Sequence, residues 1–259
     1  MKKILLFTLI IFLSTAAYSA DKYIVRIDTA NMVLIAAGEF LMGSDPGKPE
    51  EKPVHKVYLD AYWIDKYEVT FNKYDKFCEV TGRKKPSDER WGRDNRPVIN
   101  VSWDDAAAYS KWVGKRLPTE AEWEKACRAG STGEYCFGNN KSKLSDYAWY
   151  FYSEEKTQPV GTKKPNSWEI YDMHGNVWEW CADWYNENYY KNSPYKNPTG
   201  PNRGECRVVR GGYYGHPAEF VCRSACRYGI NKPDRKRENI GFRCAADVVK
   251  KENRILKTR

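Results

Sequence analysis

Residues 171–180, with the sequence YDMHGNVWEW, carry the strongest indication of how this chain folds. The segment places two carboxylates, Asp172 and Glu179, on either side of a Gly-Asn turn. Calcium takes about six to eight oxygen ligands and accepts carboxylates together with carbonyls from a tight turn. A carboxylate flanked by two tryptophans would also be costly to bury without a cation or donors. The residues leave two interpretations open: a calcium site, or a turn capped by Asp172 with Glu179 bonded to backbone N–H groups.

The N-terminal residues have the features of a secretory signal. Two lysines precede the apolar run 4–13, and the small residues Ala17 and Ser19 stand at the usual positions of a cleavage site. Because a spanning helix needs about 20 apolar residues, the run favours a cleaved signal over a membrane anchor. We therefore predict a signal peptide at 1–19, no transmembrane segment in the mature chain, and export to the periplasm or the medium.

The composition is that of a folded protein with an excess of basic residues. Aromatic residues make up 15% of the 259, including ten tryptophans, which argues against disorder. The formal charge of +9 becomes +7 once the two signal lysines are removed (9 − 2). Basic residues concentrate at 232–237 and 250–259, which favours a solvated face and a basic tail at 248–259. No nucleic-acid partner is expected for an exported chain.

Cysteine usage predicts disulfides. An even count of eight in an oxidising compartment favours bonded pairs, although the sequence does not choose among the pairings. Cys222 and Cys226 lie four residues apart, so a redox pair stays open beside the favoured structural staple. The eight positions are 78, 127, 136, 181, 206, 222, 226 and 244.

The hydrophobic pattern predicts short strands, then three short helices, then a long irregular half. Residues 33–43 and 57–69 are rich in β-branched and aromatic residues and indicate strands. Beyond Gly130 only short strand-like pieces recur, at 207–210 and 241–245, so disulfides and a cation are expected to hold this half. The helices are expected to begin after Thr70, Ser102 and Thr119, the last two with capping boxes to Asp105 and Glu122, and to end near Gly82, Gly114 and Gly130.

Seven segments spread over residues 33–247 together point to one family. On them the chain resembles the formylglycine-generating enzymes, or sulfatase-modifying factors. The resemblance implies a single α+β domain at 33–247 with a C-type-lectin-like fold, irregular, with short helices and small antiparallel sheets. The segments are VLIAAGEFLMGS (33–44), YWIDKYEVT (62–70), RPVINVSWDDAAAY (96–109), GKRLPTEAEWEKACRAG (114–130), YDMHGNVWEW (171–180), RVVRGG (207–212) and NIGFRCA (239–245).

The resemblance also implies a structural calcium ion. Its ligands would be the side chains of Asp172 and Glu179 and the carbonyl oxygens of Gly175 and Val177. The family's second calcium site is not expected, because a tryptophan stands at its Asn position. Arg243, in the GFR segment, is expected to be a buried structural arginine.

The family's activity is the oxidation of a Cys in a C-x-P-x-R peptide of a sulfatase, with copper and dioxygen. Two cysteines shortly after a GGS motif hold the copper. Counted from Gly211, these positions are His216 and Val221 in this chain, and Tyr213 replaces the serine. No cysteine stands at either copper position in this register.

Counting back from Arg227 instead places the two positions at Tyr214 and Glu219. Thiolates suit Cu(I), so the missing pair argues against a copper site. Cys222 lies one residue from the second position of the first register, which leaves a shifted ligand open.

Three interpretations of the function therefore remain. The favoured one is a calcium-stabilised binding or accessory module of the cell envelope, whose loops contact an exported protein, a peptide or an envelope glycan. The alternative is a formylglycine-generating oxidase acting on exported sulfatases, with copper as cofactor and His216 and Cys222 as candidate catalytic residues. A different oxidation centred on His216 is a third interpretation.

Overall fold

The computed structural model describes residues 28–151, 155–215 and 219–248, so the predicted signal peptide and most of the basic tail lie outside the described residues. Within these ranges the chain forms short strands and short helices around two apolar clusters. The strands are β1 (Met32–Ile35), β2 (Gly38–Met42), β3 (His55–Leu59), β4 (Tyr62–Asp65), β5 (Trp178–Trp184), β6 (Arg207–Arg210), β7 (Arg227–Asn231), β8 (Ile240–Gly241) and β9 (Ala245–Asp247). The α-helices are α1 (Phe71–Thr81), α2 (Trp103–Trp112), α3 (Glu120–Arg128) and α4 (Leu144–Tyr147).

The strands form three small sheets. The first two have the orders β1-β4-β9 and β2-β3, and all of their pairs are antiparallel. The predicted strand at 33–43 is therefore two strands in different sheets, and 57–69 also divides into two. Strand β9 pairs with β4 in the register Tyr62↔Asp247, so the end of the described chain lies beside its beginning.

The helices begin where the sequence predicts, and two of the three caps are confirmed. The Ser102 hydroxyl accepts from the Asp105 N–H at 3.1 Å, and the Thr119 hydroxyl accepts from the Glu122 N–H at 3.2 Å. Both capping boxes are complete, because each carboxylate also accepts from its N-cap N–H. Thr70 stands at the N-cap of α1, where the helix was expected to begin, but its side chain makes no cap bond.

The second half is more regular than predicted. Four of its five strands form one sheet, ordered β7-β6-β5-β8, in which β5 and β8 run parallel. Strand β5 begins inside the segment expected to be a loop, because its tryptophans pair with residues far away in sequence. A helix of one turn, α4, also forms after Gly130, where none was expected. None of the helices in the described ranges has the length and hydrophobicity that crossing a bilayer requires.

Candidate metal centre and the surrounding surface

A tight loop leads residues 171–177 into strand β5. Asp172 and Asn176 adopt left-handed backbone conformations, with φ of 60° and 65°. Gly175 packs so closely that a Cβ there would lie 2.3 Å from the carbonyl oxygen of Trp149. The Asn176 N–H donates to the same oxygen at 2.8 Å. Any side chain at position 175 would therefore push the loop away from Trp149.

Asp172 lies buried in this loop, with 2% of its surface exposed. Its Oδ2 accepts from the Gly161 N–H at 2.7 Å, whereas its buried Oδ1 has no hydrogen-bond partner among the described residues. Burial raises the pKa of Asp172 to about 6, although the Gly161 N–H and the Arg243 charge act in the opposite direction. One oxygen of this carboxyl group is thus left to bind another group.

Glu179, on β5, is fully buried and is held by two residues. Arg243 donates to both of its oxygens at 2.7 Å, and Trp123 Nε1 donates to Oε2 at 2.9 Å. The paired geometry is that of a strong, bidentate ion pair. Arg243 also donates to the carbonyls of Asp65, Lys66 and Tyr171. The prediction that Arg243 is a buried structural arginine is confirmed.

Glu68 is a third buried carboxylate, and sequence reasoning missed it. It accepts from Asn176 Nδ2 at 2.6 Å and from the Val177 N–H at 3.3 Å. Burial raises its pKa well above the usual value, and the nearby charges of Asp172 and Glu179 raise it further. A carboxylate between Tyr67 and Val69, in a segment expected to form strands, was the signal that could have revealed it.

These four residues, Glu68, Asp172, Glu179 and Arg243, are called the acidic cluster below. If every member were ionised, three carboxylates would face one guanidinium and the net charge would be −2 (−3 + 1), and the raised pKa of Glu68 reflects how unfavourable that state is without a further cation. Across the described ranges, no three His, Cys, Asp or Glu side chains converge as metal ligands. A cation here would therefore depend on the two predicted side chains together with backbone carbonyls. The oxygen-only donors, the charge and the unpartnered Asp172 Oδ1 fit a calcium ion.

A second buried group of charges lies on the other side of Trp123. Glu120 accepts from Arg227 at 2.7 and 2.6 Å, and Glu124 accepts from Arg128 Nε at 2.9 Å and from Arg210. The Arg210 guanidinium lies 5.4 Å from the centre of the Trp123 ring. We call this group the arginine cluster: Glu120, Glu124, Arg128, Arg210 and Arg227.

The stretch 211–227 places the residues at the expected copper positions in different surroundings. Tyr214 is buried, its N–H donates to the Asn176 carbonyl at 3.0 Å, and its ring meets Trp91 edge-on at 5.4 Å. Val221 is a core residue with 3% exposure. His216 and the side chain of Glu219 lie outside the described part of the chain.

Cys222, the other candidate catalytic residue, is fully buried. Its carbonyl lies 2.8 Å from His174 Nδ1, and His174 Nε2 lies 3.1 Å from the Cys136 nitrogen. Since the Cys136 N–H is a donor, Nε2 accepts and Nδ1 carries the proton that is donated to Cys222. His174 thus ties two cysteine-bearing loops together through their backbones.

Beside this stretch stands a row of aromatic rings. Trp178 stacks on Tyr228 with centroids 5.8 Å apart and lies 6.4 Å from Tyr213. The Lys48 ammonium lies 5.1 Å from the centre of the Phe220 ring and 5.4 Å from that of Tyr228. Phe220 is 44% exposed. We call Trp178, Tyr213, Tyr228 and Phe220 the aromatic wall.

A sequence profile of the sulfatase-modifying factor enzyme 1-like domain matches residues 21–248 of this chain. The chain belongs to this family. The resemblance noted in the seven segments is thereby confirmed over most of the sequence.

Individual family members agree with the assignment. The formylglycine-generating enzyme of Streptomyces coelicolor is 33% identical, covering 85% of this chain and 90% of that one. The serine/threonine-protein kinase pkn1 of Chlamydia caviae is 37% identical, covering 84% of this chain but 38% of that one. The structure of PvdO from Pseudomonas aeruginosa superposes with a TM-score of 0.76 at 30% identity, covering 84% of this chain and 94% of that one. The predicted α+β fold of the sulfatase-modifying factor family is confirmed.

The disulfides expected from the even cysteine count are not formed. All eight cysteines lie in the described ranges and none is bonded to another. Cys78, Cys127 and Cys181 lie on different elements, α1, α3 and β5, and each is buried as a small apolar group. Burial raises the pKa of the Cys127 thiol to about 12, which keeps it protonated. Apolar packing, rather than cross-linking, accounts for these cysteines.

Proposed function

We propose that this chain is a binding or accessory module of the cell envelope, stabilised by calcium, that does not oxidise cysteine. Its partner would be an exported protein, a peptide or an envelope glycan. One observation carries the proposal: neither way of counting the family's copper positions finds a cysteine pair. Tyr214 and Val221, one residue from each count, are moreover packed into the domain rather than presented to a metal.

The aromatic wall is the surface on which we expect the partner to bind. Tyr and Trp side chains bury a large area at low cost in conformational entropy, and for that reason they dominate many recognition surfaces. Tyr213 of the wall follows directly on Gly211 and Gly212, at the position where catalytic members of the family have a serine. A partially exposed Phe220 and the adjacent Lys48 offer an apolar contact and a positive charge side by side.

The acidic cluster supports the calcium part of the proposal. Three buried carboxylates with one arginine are expensive without a further positive charge. A divalent ion would balance the charge of −2 that the cluster has when all its members are ionised, and it would give Asp172 Oδ1 the partner that it lacks among the described residues. Asp172, Glu179 and the carbonyls of Gly175 and Val177 would hold it, and its contribution would be to fix the loop onto strand β5.

The oxidase remains the second candidate because the Streptomyces coelicolor relative carries that name at 33% identity. In this chain it would have to rely on Cys222, the cysteine next to a copper position. Its complete burial and a backbone fixed by His174 argue against that role.

A peptide oxidation assay separates the two candidates. The purified mature chain is incubated with Cu(I), dioxygen and a C-x-P-x-R peptide, and mass spectrometry follows conversion of the cysteine to the aldehyde. We expect the peptide to remain unchanged while an active formylglycine-generating enzyme converts it in parallel. Turnover that disappears in Cys222→Ser but persists in the control Cys226→Ser would refute the proposal.

Export is tested by the N terminus of the natural protein. Cleavage after Ser19 gives a mature chain that starts at Ala20 and is found in the periplasm or the medium. Recovery of the full chain, with its signal intact, from the cytoplasmic fraction alone would contradict export.

A further inference from the structure

Lys125 is a buried cation that lacks a carboxylate partner. It lies on α3 with 5% of its surface exposed, and its Nζ donates to the carbonyls of Ala36 and Gly38, both at 2.9 Å. No carboxylate of the described residues pairs with it, and burial lowers its pKa. Its neighbour on the helix, Arg128, is by contrast paired with Glu124 at 2.8 Å. An uncompensated buried charge is costly, so an anion at this point would be favourable.

A cleft of about 390 Å³ opens beside this lysine. Its apolar walls include Phe40, Leu41 and Trp168, and Leu41 is 48% exposed although it is apolar. Arg128 also lines the cleft, but its guanidinium is already bonded to Glu124 and to the carbonyls of Gly43 and Gly133. Glu39 lines the cleft as well, but its carboxylate is paired with Lys56 at 3.2 Å and accepts from the Tyr195 hydroxyl. Among the charged residues of this lining, Lys125 is therefore the one with bonding capacity left.

We propose that this cleft binds a small carboxylate with an apolar body, of which a medium-chain fatty acid is the simplest form. An ammonium group has three N–H donors, and two of those of Lys125 are used by carbonyls. The third would donate to the ligand carboxylate, which also supplies the missing counter-charge. The chain of the ligand would lie against Phe40, Leu41 and Trp168 and remove their apolar surface from water. The acidic cluster and the aromatic wall take no part in this site.

The charge requirement is tested by comparing two ligands of equal length. Isothermal titration calorimetry on the mature protein measures octanoate and 1-octanol, which share the apolar chain but differ in the charged group. We expect octanoate to bind about tenfold more tightly, which corresponds to ~1.4 kcal/mol. Equal affinities, or no measurable binding of octanoate, would overturn the proposal.

Variants then locate the site. Lys125→Gln retains donors for the two carbonyls but removes the charge, so octanoate should weaken about tenfold while octanol stays unchanged. The matched control, Lys111→Gln, alters an exposed lysine of α2 and should leave both affinities as they are. An octanoate affinity that survives Lys125→Gln would disprove the assignment.

If Lys125→Gln does not fold, Trp168→Ala replaces it. This variant removes one apolar wall, so it should weaken octanoate and octanol together, whereas unchanged affinities for both would place the ligand elsewhere and refute the cleft.

Discussion

The acidic cluster and the arginine cluster are equally buried, share Trp123 as a neighbour, and have opposite charge balances. The arginine cluster sets three guanidinium groups against two carboxylates, and each carboxylate is bonded by at least one arginine. The acidic cluster sets one guanidinium against three carboxylates, and that arginine is bonded to Glu179 alone among them. The charges of the arginine cluster are neutralised almost entirely by its own side chains. The acidic cluster needs a further positive charge from outside its four residues.

The pKa shifts of two glutamates express the same contrast. Burial acts to raise the pKa of both Glu124 and Glu68, because a charge is poorly solvated inside a protein. At Glu124 the charges of Arg128 and Arg210 outweigh burial, and the pKa is lowered. At Glu68 the nearby carboxylates add to burial, and the pKa is raised well above normal. Equal burial thus has opposite consequences, and the number of arginines in reach decides which.

The largest expected effect comes from breaking the balanced cluster. Glu124→Gln leaves Arg210 and Arg128 buried without their charge partner, which should cost about 3–5 kcal/mol of unfolding free energy. Glu68→Gln, its counterpart in the acidic cluster, replaces a carboxyl group whose pKa is already raised well above normal, so it should cost only about 1 kcal/mol, the worth of one hydrogen bond. Urea unfolding with a chelator present measures both. Equal losses in the two variants would show that the charge balance of the clusters does not matter.

A second experiment sharpens the comparison by supplying calcium. At about 100 times its dissociation constant the ion should add ~2.7 kcal/mol, or roughly 5–10 °C in melting temperature for a chain of this size. Asp172→Asn keeps the acceptor for the Gly161 N–H but removes a charge. We expect this variant to lose the calcium-dependent increase and to be no less stable than the natural chain with chelator.

The matched control for calcium is Asp183→Asn, which alters a buried aspartate outside the acidic cluster and should retain the full response. A melting temperature of the natural chain that is the same with calcium and with chelator would contradict the calcium proposal.

The smallest effect, when it is counted per pH unit, is a pH dependence of stability that arises from Asp183, beside the arginine cluster. Burial, followed by the charge of Glu120, raises the pKa of Asp183 to about 8, so the folded protein keeps this carboxyl protonated at neutral pH. The unfolded chain ionises it near its ordinary pKa, about 3.9. Stability from this group is therefore complete below that value and is lost as pH rises through about 8.

The slope of this loss is ~1.4 kcal/mol per pH unit. Asp183→Asn cannot titrate and still offers an oxygen to the Glu120 N–H, which donates to Asp183 at 2.8 Å. The difference in unfolding free energy between the natural chain and the variant should change by that amount between pH 6 and 7. A difference that does not vary with pH would show that Asp183 is ionised in the folded protein.

Local sequence signals predicted the parts of the fold that local physics determines. The capping boxes at Ser102 and Thr119 are confirmed because each involves side chains three residues apart. Strand β5 was not predicted because its partner strands include Arg210 and Ile240, which lie far from it in sequence. A local sequence pattern does not indicate pairings over such distances. The disulfides were predicted from an even count, whereas the positions of the thiols in the folded core decide whether they meet.

The candidate site was predictable to a similar extent. The loop 171–180 and the buried Arg243 followed from motifs within short segments. The pairing of Arg243 with Glu179 joins residues 64 positions apart, and Glu68 reaches the loop across 108 positions. The excess of negative charge in the acidic cluster could be recognised only after the fold had brought these residues together.

Position 123 has two requirements, a hydrogen-bond donor and an aromatic ring face, and its tryptophan meets both. Its N–H binds Glu179 of the acidic cluster, and the face of its ring receives Arg210 of the arginine cluster. Phenylalanine would keep the ring face for Arg210 but would remove the donor to Glu179 Oε2. Such a variant would therefore weaken the acidic cluster and leave the arginine cluster unchanged. The indole therefore joins the two clusters through two different interactions, so a substitution that removes the ring at position 123 would disturb both of them.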